Sequence, residues 1–129
     1  MGRPLTVAPS CVMHDFRRLH VWERSRRLAI ELHIVTRSFP LSDRGIVGGQ
    51  LRRASLSIPA NIAEGCGKAS RKESIRFFEI ASGSAKETEH HIQMSGDLGY
   101  ISADATRSLT ANVVSIQKML RSLINNLPG

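Results

Sequence analysis

The carboxylate, imidazole and thiol groups of this 129-residue chain are few, and their spacing limits the chemistry open to it. Glu87-Thr88-Glu89-His90 contains a Glu-x-x-His, the spacing with which a helix of a di-iron four-helix bundle presents a carboxylate and an imidazole to a metal. Such a centre needs that motif from two helices and a further glutamate from each of two others. Here there is one copy, and the adjacent His90 and His91 point in different directions. No metal ligand set is assigned, and no cofactor is expected. Cys66 stands between Gly65 and Gly67 at an expected helix end, where carbonyls gather and a thiolate is disfavoured, so it reads as a structural thiol. Gly45, Gly48 and Gly49 lack the preceding strand that a phosphate-binding loop requires. With no nucleophile, base or metal constellation, the chain is expected not to be an enzyme.

Charge offers more. The formal charge is +7, and residues 1–60 hold ten arginines against only Asp15, Glu23, Glu31 and Asp43. A field concentrated in one half of a small domain favours polyanions such as RNA or DNA. The candidate phosphate contacts are Arg17, Arg18, Arg24, Arg27, Arg52, Arg53, Arg71 and Lys72, because arginine's forked donors suit phosphate oxygens. The same side chains have Glu23, Glu31, Glu64 and Glu73 as alternative partners, so each has a second reading as an ion pair within or between subunits. Aromatic residues are 5% of the chain, which leaves little to stack bases on. Binding is therefore expected to be electrostatic and weakly specific.

Four helices must position these groups. The first, from about Val21 to Phe39, sets Val21, Ser25, Leu28, Leu32, Val35 and Phe39 at alternating steps of four and three. Ile30 and Ile34 fall on its opposite face. Pro40 closes it, and Leu41 to Gly45 reads as a loop. The second, from about Gly45 to Glu64, aligns Val47, Leu51, Ala54, Ser55, Ile58 and Ile62, with Arg52 and Arg53 turned away and a kink expected at the interior Pro59. Gly65 and Gly67 stop it. The third opens on the capping box Ser70-Arg71-Lys72-Glu73 and runs to about Leu98. It has one stripe through Phe78, Ala81, Ala85 and Ile92 and a second through Ile80, Met94 and Leu98. The small run Ala81 to Ala85 invites close helix approach. The fourth starts at Ser102 and Asp104 and carries Leu109, Val113, Ile116, Leu120, Leu123 and Leu127. Short connections make this an all-α, up-down-up-down four-helix bundle over residues 15–129, preceded by a disordered tail over residues 1–14. Met13 is an alternative start.

The cysteines, Cys11 and Cys66, form no disulfide framework and are expected to be thiols in a reducing cytoplasm. The longest apolar runs are far short of the roughly 20 residues that span a bilayer, so no membrane role is expected. The apolar outer positions Ile30, Ile34, Ile80 and Met94 call for a subunit interface.

Several motifs resemble one family. Asp15-Phe16, Leu19, Val21-Trp22, Thr36 and Phe39-Pro40 are followed in unbroken order by Gln50 to Ala54 and by the string SIPANIAEG, Ser57 to Gly65. Arg76-Phe77, Ile80-Ala81, Gly83-Ser84 and Leu98 to Ile101 complete the pattern. Together they resemble the bacterial ribosomal RNA intervening-sequence proteins over residues 15 to about 101, whereas the fourth helix matches only in kind. The resemblance implies a cytosolic four-helix bundle that assembles as a ring-like homopentamer and has no established activity. A related branch, the accessory variability determinant of diversity-generating retroelements, implies binding of nucleic acid and of a reverse transcriptase. Two functions of different class follow: a basic, non-enzymatic ring that binds RNA, DNA or a nucleic-acid-processing partner, or a purely structural ring whose arginines serve solubility and subunit ion pairs.

Overall fold

A computed structural model of the protein describes residues 15–128. The expected tail over residues 1–14, with Cys11 and Met13, lies outside the described residues. A short 3-10 turn, Phe16–Arg18, leads into α1, His20–Val35, which tightens into a second 3-10 turn at Thr36–Ser38. The remaining helices are α2, Leu41–Arg44, α3, Val47–Cys66, α4, Arg71–Asp97, and α5, Ala103–Asn125. The four long helices form the bundle: α1 packs on α3 and α5, and α4 packs on the same two, so α1 and α4 occupy opposite corners.

Local chemistry sets most of the ends. The Ser70 hydroxyl accepts the Glu73 N–H at 3.1 Å and the Ser102 hydroxyl accepts that of Ala105 at 3.0 Å, satisfying orphan donors at the starts of α4 and α5. Gly99, at a φ of 79°, turns the chain between them in the left-handed region that a side chain disfavours. The segment from Leu41 to Gly45 differs from the expected loop. Asp43 and Arg44 donate their N–H groups to the Pro40 carbonyl at 2.9 and 2.8 Å, winding one helical turn that is interrupted at Gly45–Ile46. Proline fixes the entry to that turn without sacrificing a bond, because its missing donor lies ahead of the first hydrogen bond.

α3 stays helical through Pro59. The Asn61 amide donates to the Ser57 carbonyl at 2.8 Å and to its hydroxyl at 2.9 Å, one turn from the place where the proline removes a donor. Gly65 was expected to stop this helix, yet it lies inside it. A Cβ there would stand 2.6 Å from the Phe78 ring, so the residue admits an aromatic side chain of α4 rather than ending α3.

Leu28, Leu32, Phe39, Leu51, Ile58, Ile62, Phe78, Ile92, Val113, Ile116 and Leu120 form the centre of the core. Serines and threonines interrupt the apolar stripes without leaving polar atoms unpaired. Buried Ser25, Thr36, Ser55, Thr88 and Ser95 each return a hydroxyl hydrogen bond to a carbonyl three or four residues back. Buried Ser74 reaches across to the Gly65 carbonyl at 2.8 Å. The small run of α4 does bring α3 close: Ala81 and Ala85 are fully buried, and the hydroxyls of Ser84 and Ser57 meet at 2.8 Å.

Candidate nucleic-acid interface

Because neighbouring long helices alternate in direction, the start of α1, the end of α3, the start of α4 and the end of α5 share one end of the bundle. Arg17 and Arg18, just before α1, and Arg71 and Lys72, which open α4, therefore lie at the same end, at opposite corners of it. Arg17 bonds the Asp15 carboxylate at 3.0 Å through its Nε and also stands over the Phe16 ring. Arg71 donates to the Leu127 carbonyl at 3.5 Å, which ties α4 to the chain beyond α5. Arg18 and Lys72 are exposed and make no ion pair among the described residues. Two more cations lie at this end: Lys68, part of the basic cluster around the start of α4 in the sequence, and Arg76, which was not among the candidates, stand 4.9 and 4.5 Å from the centre of the Phe77 ring. The signal for their shared contact was Phe77 itself, one residue after Arg76 and within reach of a lysine just before the Ser70 cap.

The acids at this end neutralise part of the field. Glu64 pairs with Lys68 at 3.3 Å, and Glu73 approaches Arg76 at 3.9 Å. Asp15 is held below the usual carboxylate range, first by the hydrogen bond from the Arg17 side chain. At the opposite end the bases Arg37, Arg44 and Arg107 are equalled in number by Asp43, Asp97 and Asp104, so the excess of positive charge is not symmetric along the bundle.

The other candidates lie elsewhere. Arg24 and Arg27 border a groove of about 510 Å³ between α1 and α5, with Glu31, Ser108 and Asn112 on its walls. Arg24 donates to the Asn112 side chain at 3.1 Å, whereas Arg27 shares Glu23 with Arg26. That double pairing drives the Glu23 carboxyl down to about 2. Arg52 and Arg53 diverge. The Arg52 guanidinium turns inward to the Thr36 hydroxyl at 3.0 Å, and Arg53 remains exposed beside Gln50.

The potential ligands of a metal are not assembled by the Glu-x-x-His. Glu87 meets His91, at 3.4 Å, rather than His90. Among the described residues no group of three His, Cys, Asp or Glu side chains converges. Cys66 is buried, and burial pushes its thiol up to about 12. Ile30, Ile34, Ile80 and Met94 are between 39% and 54% exposed, which leaves the anticipated interface positions open in the single chain.

The family described as 23S rRNA-intervening sequence protein matches residues 17–122. The chain belongs to this family. The match continues through most of α5, beyond Ile101 where the recognisable motifs stop, so the fourth bundle helix is part of the family pattern and not merely similar in kind. A crystal structure of a protein of unknown function from the S23 ribosomal protein family of Bacteroides thetaiotaomicron VPI-5482 is similar, with 27% identity and a TM-score of 0.75. The similarity covers 82% of this chain and 99% of that one. No curated protein matches the chain. The all-α bundle is thus the family's architecture, and among the described residues no helix is long and apolar enough to cross a membrane.

Proposed function

We propose that this intervening-sequence family member is a non-enzymatic, cytoplasmic homo-oligomer that engages the phosphate backbone of RNA or DNA through the basic end of its bundle. The supporting observation is that Arg18, Arg71 and Lys72, from distant segments, share one end of the bundle, none of them paired with a carboxylate among the described residues. Unpaired surface cations retain the field that phosphate neutralisation uses, and contacts of this kind supply affinity without reading sequence. A closed ring multiplies that field, since every copy presents the same end in the same direction. Five copies is the ring size implied by the family resemblance. A reverse transcriptase or other nucleic-acid enzyme is a further partner that the resemblance to the retroelement branch implies.

One observation favours the structural alternative. Arg26 and Arg27 with Glu23, Arg121 with Glu79, and Arg107 with Asp104 all serve ion pairs within the bundle. In that reading the arginines hold and solubilise the assembly. Titration of a mixed-sequence oligonucleotide at several salt concentrations separates the two, because only phosphate neutralisation produces a steep loss of affinity with salt.

A further inference from the structure

Gly83 lies in the middle of the 27-residue α4, exposed to solvent, and a Cβ added there meets nothing within 4 Å. A mid-helix glycine weakens a helix relative to alanine, and nothing inside this bundle requires one at that position. Around it, Ile80, Ser84, Glu87, His91, Met94 and Leu98 recur at steps of four and three. That is a heptad seam, rotated roughly a third of a turn from the buried stripe through Ala81, Ala85 and Ile92. Ile80, Met94 and Leu98 on it are 40%, 39% and 47% exposed. Ile80, Gly83, Ser84 and Glu87 stand at i, i+3, i+4 and i+7, the four positions that border a hole in knobs-into-holes packing. With glycine at one of them, the hole is enlarged.

A matching set of knobs exists on α1. Ile30 and Ile34, 47% and 54% exposed, point directly away from the core between Arg27 and Arg37. Their height along the bundle follows from cross-helix contacts. Thr36 lies beside Gly48 and Arg52 of α3, and Ser57 of α3 meets Ser84 of α4. Counting along these antiparallel helices sets Ile30 and Ile34 level with the α4 stretch from Gly83 to His91. α1 and α4 sit at opposite corners and run in the same direction, so neither can cover the other within one chain. In a closed ring all copies stand at the same height, and a contact between two different faces is what closes it.

Resting on the proposed homo-oligomer, we infer that Ile30 and Ile34 of one copy seat in the Gly83 hole on α4 of the next. Arg37, which has no carboxylate partner among the described residues, then faces Glu87, whose only ion-pair partner among them is His91. Charge and shape agree on the same pairing of faces. A second copy of this chain is thus the occupant of the α4 seam, and Gly83 determines that specificity.

Light scattering at micromolar concentration, with thermal unfolding as a check on folding, tests this in three samples. Gly83→Leu fills the hole while improving helix propensity, so its mass is expected to fall to the single-chain 14.2 kDa while its helical content is kept. Ile34→Asp spoils the knob on an exposed site and is expected to give the same mass. An equimolar mixture restores one intact contact, from the α1 face of the first variant to the α4 face of the second, and is expected to form a 1:1 complex of about twice the single-chain mass. A wild-type monomer overturns the homo-oligomer reading itself. A wild-type oligomer whose mass survives Gly83→Leu, or variants that fail to combine, overturns the Gly83 assignment and leaves that reading standing.

Discussion

The Arg52 guanidinium donates to the Thr36 hydroxyl at 3.0 Å, fastening α3 to the last turn of α1. Thr36 is itself fully buried and donates to the His33 carbonyl, so the arginine completes a chain of hydrogen bonds at the corner where α1 gives way to a 3-10 turn. A residue that looked like a phosphate ligand is used inside the molecule. Replacing Arg52 with alanine leaves the Thr36 hydroxyl without its donor and is expected to cost about 1–2 kcal/mol. Urea unfolding measures that loss. Oligonucleotide affinity per folded molecule is expected to stay within twofold of wild type, and a tenfold drop would instead make Arg52 a nucleic-acid contact.

Gly65 answers to Phe78. The ring is fully buried and cannot swing aside, and the Ser74 carbonyl lies 3.1 Å from the same added Cβ. Gly65→Ala is therefore expected to destabilise the bundle by about 1–3 kcal/mol through overpacking. In an Ile34→Asp background, Gly83→Ala is expected to act in the opposite direction, adding about 1 kcal/mol of helix propensity. Chemical denaturation of the two variants checks both signs.

Cys66 predicts a pH response. Burial holds its thiol neutral, raising it from an ordinary 9.0 to about 12, with the Asp15 charge adding to the effect. The folded state favours the protonated form, so this contribution to stability is fully present below pH 9 and is lost as pH rises from about 9 toward 12. A thiol reagent at pH 8 is expected to modify Cys66 only after denaturant is added. Modification of the folded protein as fast as of the unfolded chain would show that the thiol is accessible.

Glu23 acts at the other end of the scale. Hydrogen bonds from Arg26 and then Arg27 lower its carboxyl from 4.5 to about 2. The folded state favours the ionised form, so the contribution is present above pH 4.5 and disappears as pH falls toward 2. Glu23→Gln is expected to lower the thermal midpoint slightly at pH 7 and to converge on wild type at pH 2, because exposed pairs contribute little. A gap between the two that is unchanged at pH 2 would assign the effect to packing.

Most of the architecture is readable from local chemistry. Ser70 and Ser102 announce helix starts because a cap needs only its own next three residues, and the apolar stripes of α3 to α5 follow from a period of 3.6. What escapes such reading depends on residues far away in the chain. Gly65 looks like a helix stop until Phe78 is set opposite it. Arg52 looks free until Thr36 is, and Leu41 to Arg44 looks like a loop because a single turn has no period to recognise. That Arg18 and Lys72 share one end of the bundle required its connectivity, which brings the starts of α1 and α4, at opposite corners, to the same end.

The basic end is most directly tested by fluorescence anisotropy of a labelled, mixed-sequence single-stranded oligonucleotide titrated with the wild-type protein between about 50 and 200 mM salt. Affinity is expected to fall linearly on logarithmic axes, with a slope of about 0.7 per phosphate neutralised. Arg18→Glu with Lys72→Glu is expected to weaken binding at least tenfold and to flatten that slope, while the unpaired Arg53→Glu on α3 has a smaller effect. Absence of binding at about 50 mM salt, or a double variant that binds as wild type does, would contradict a phosphate interface at this end of the bundle.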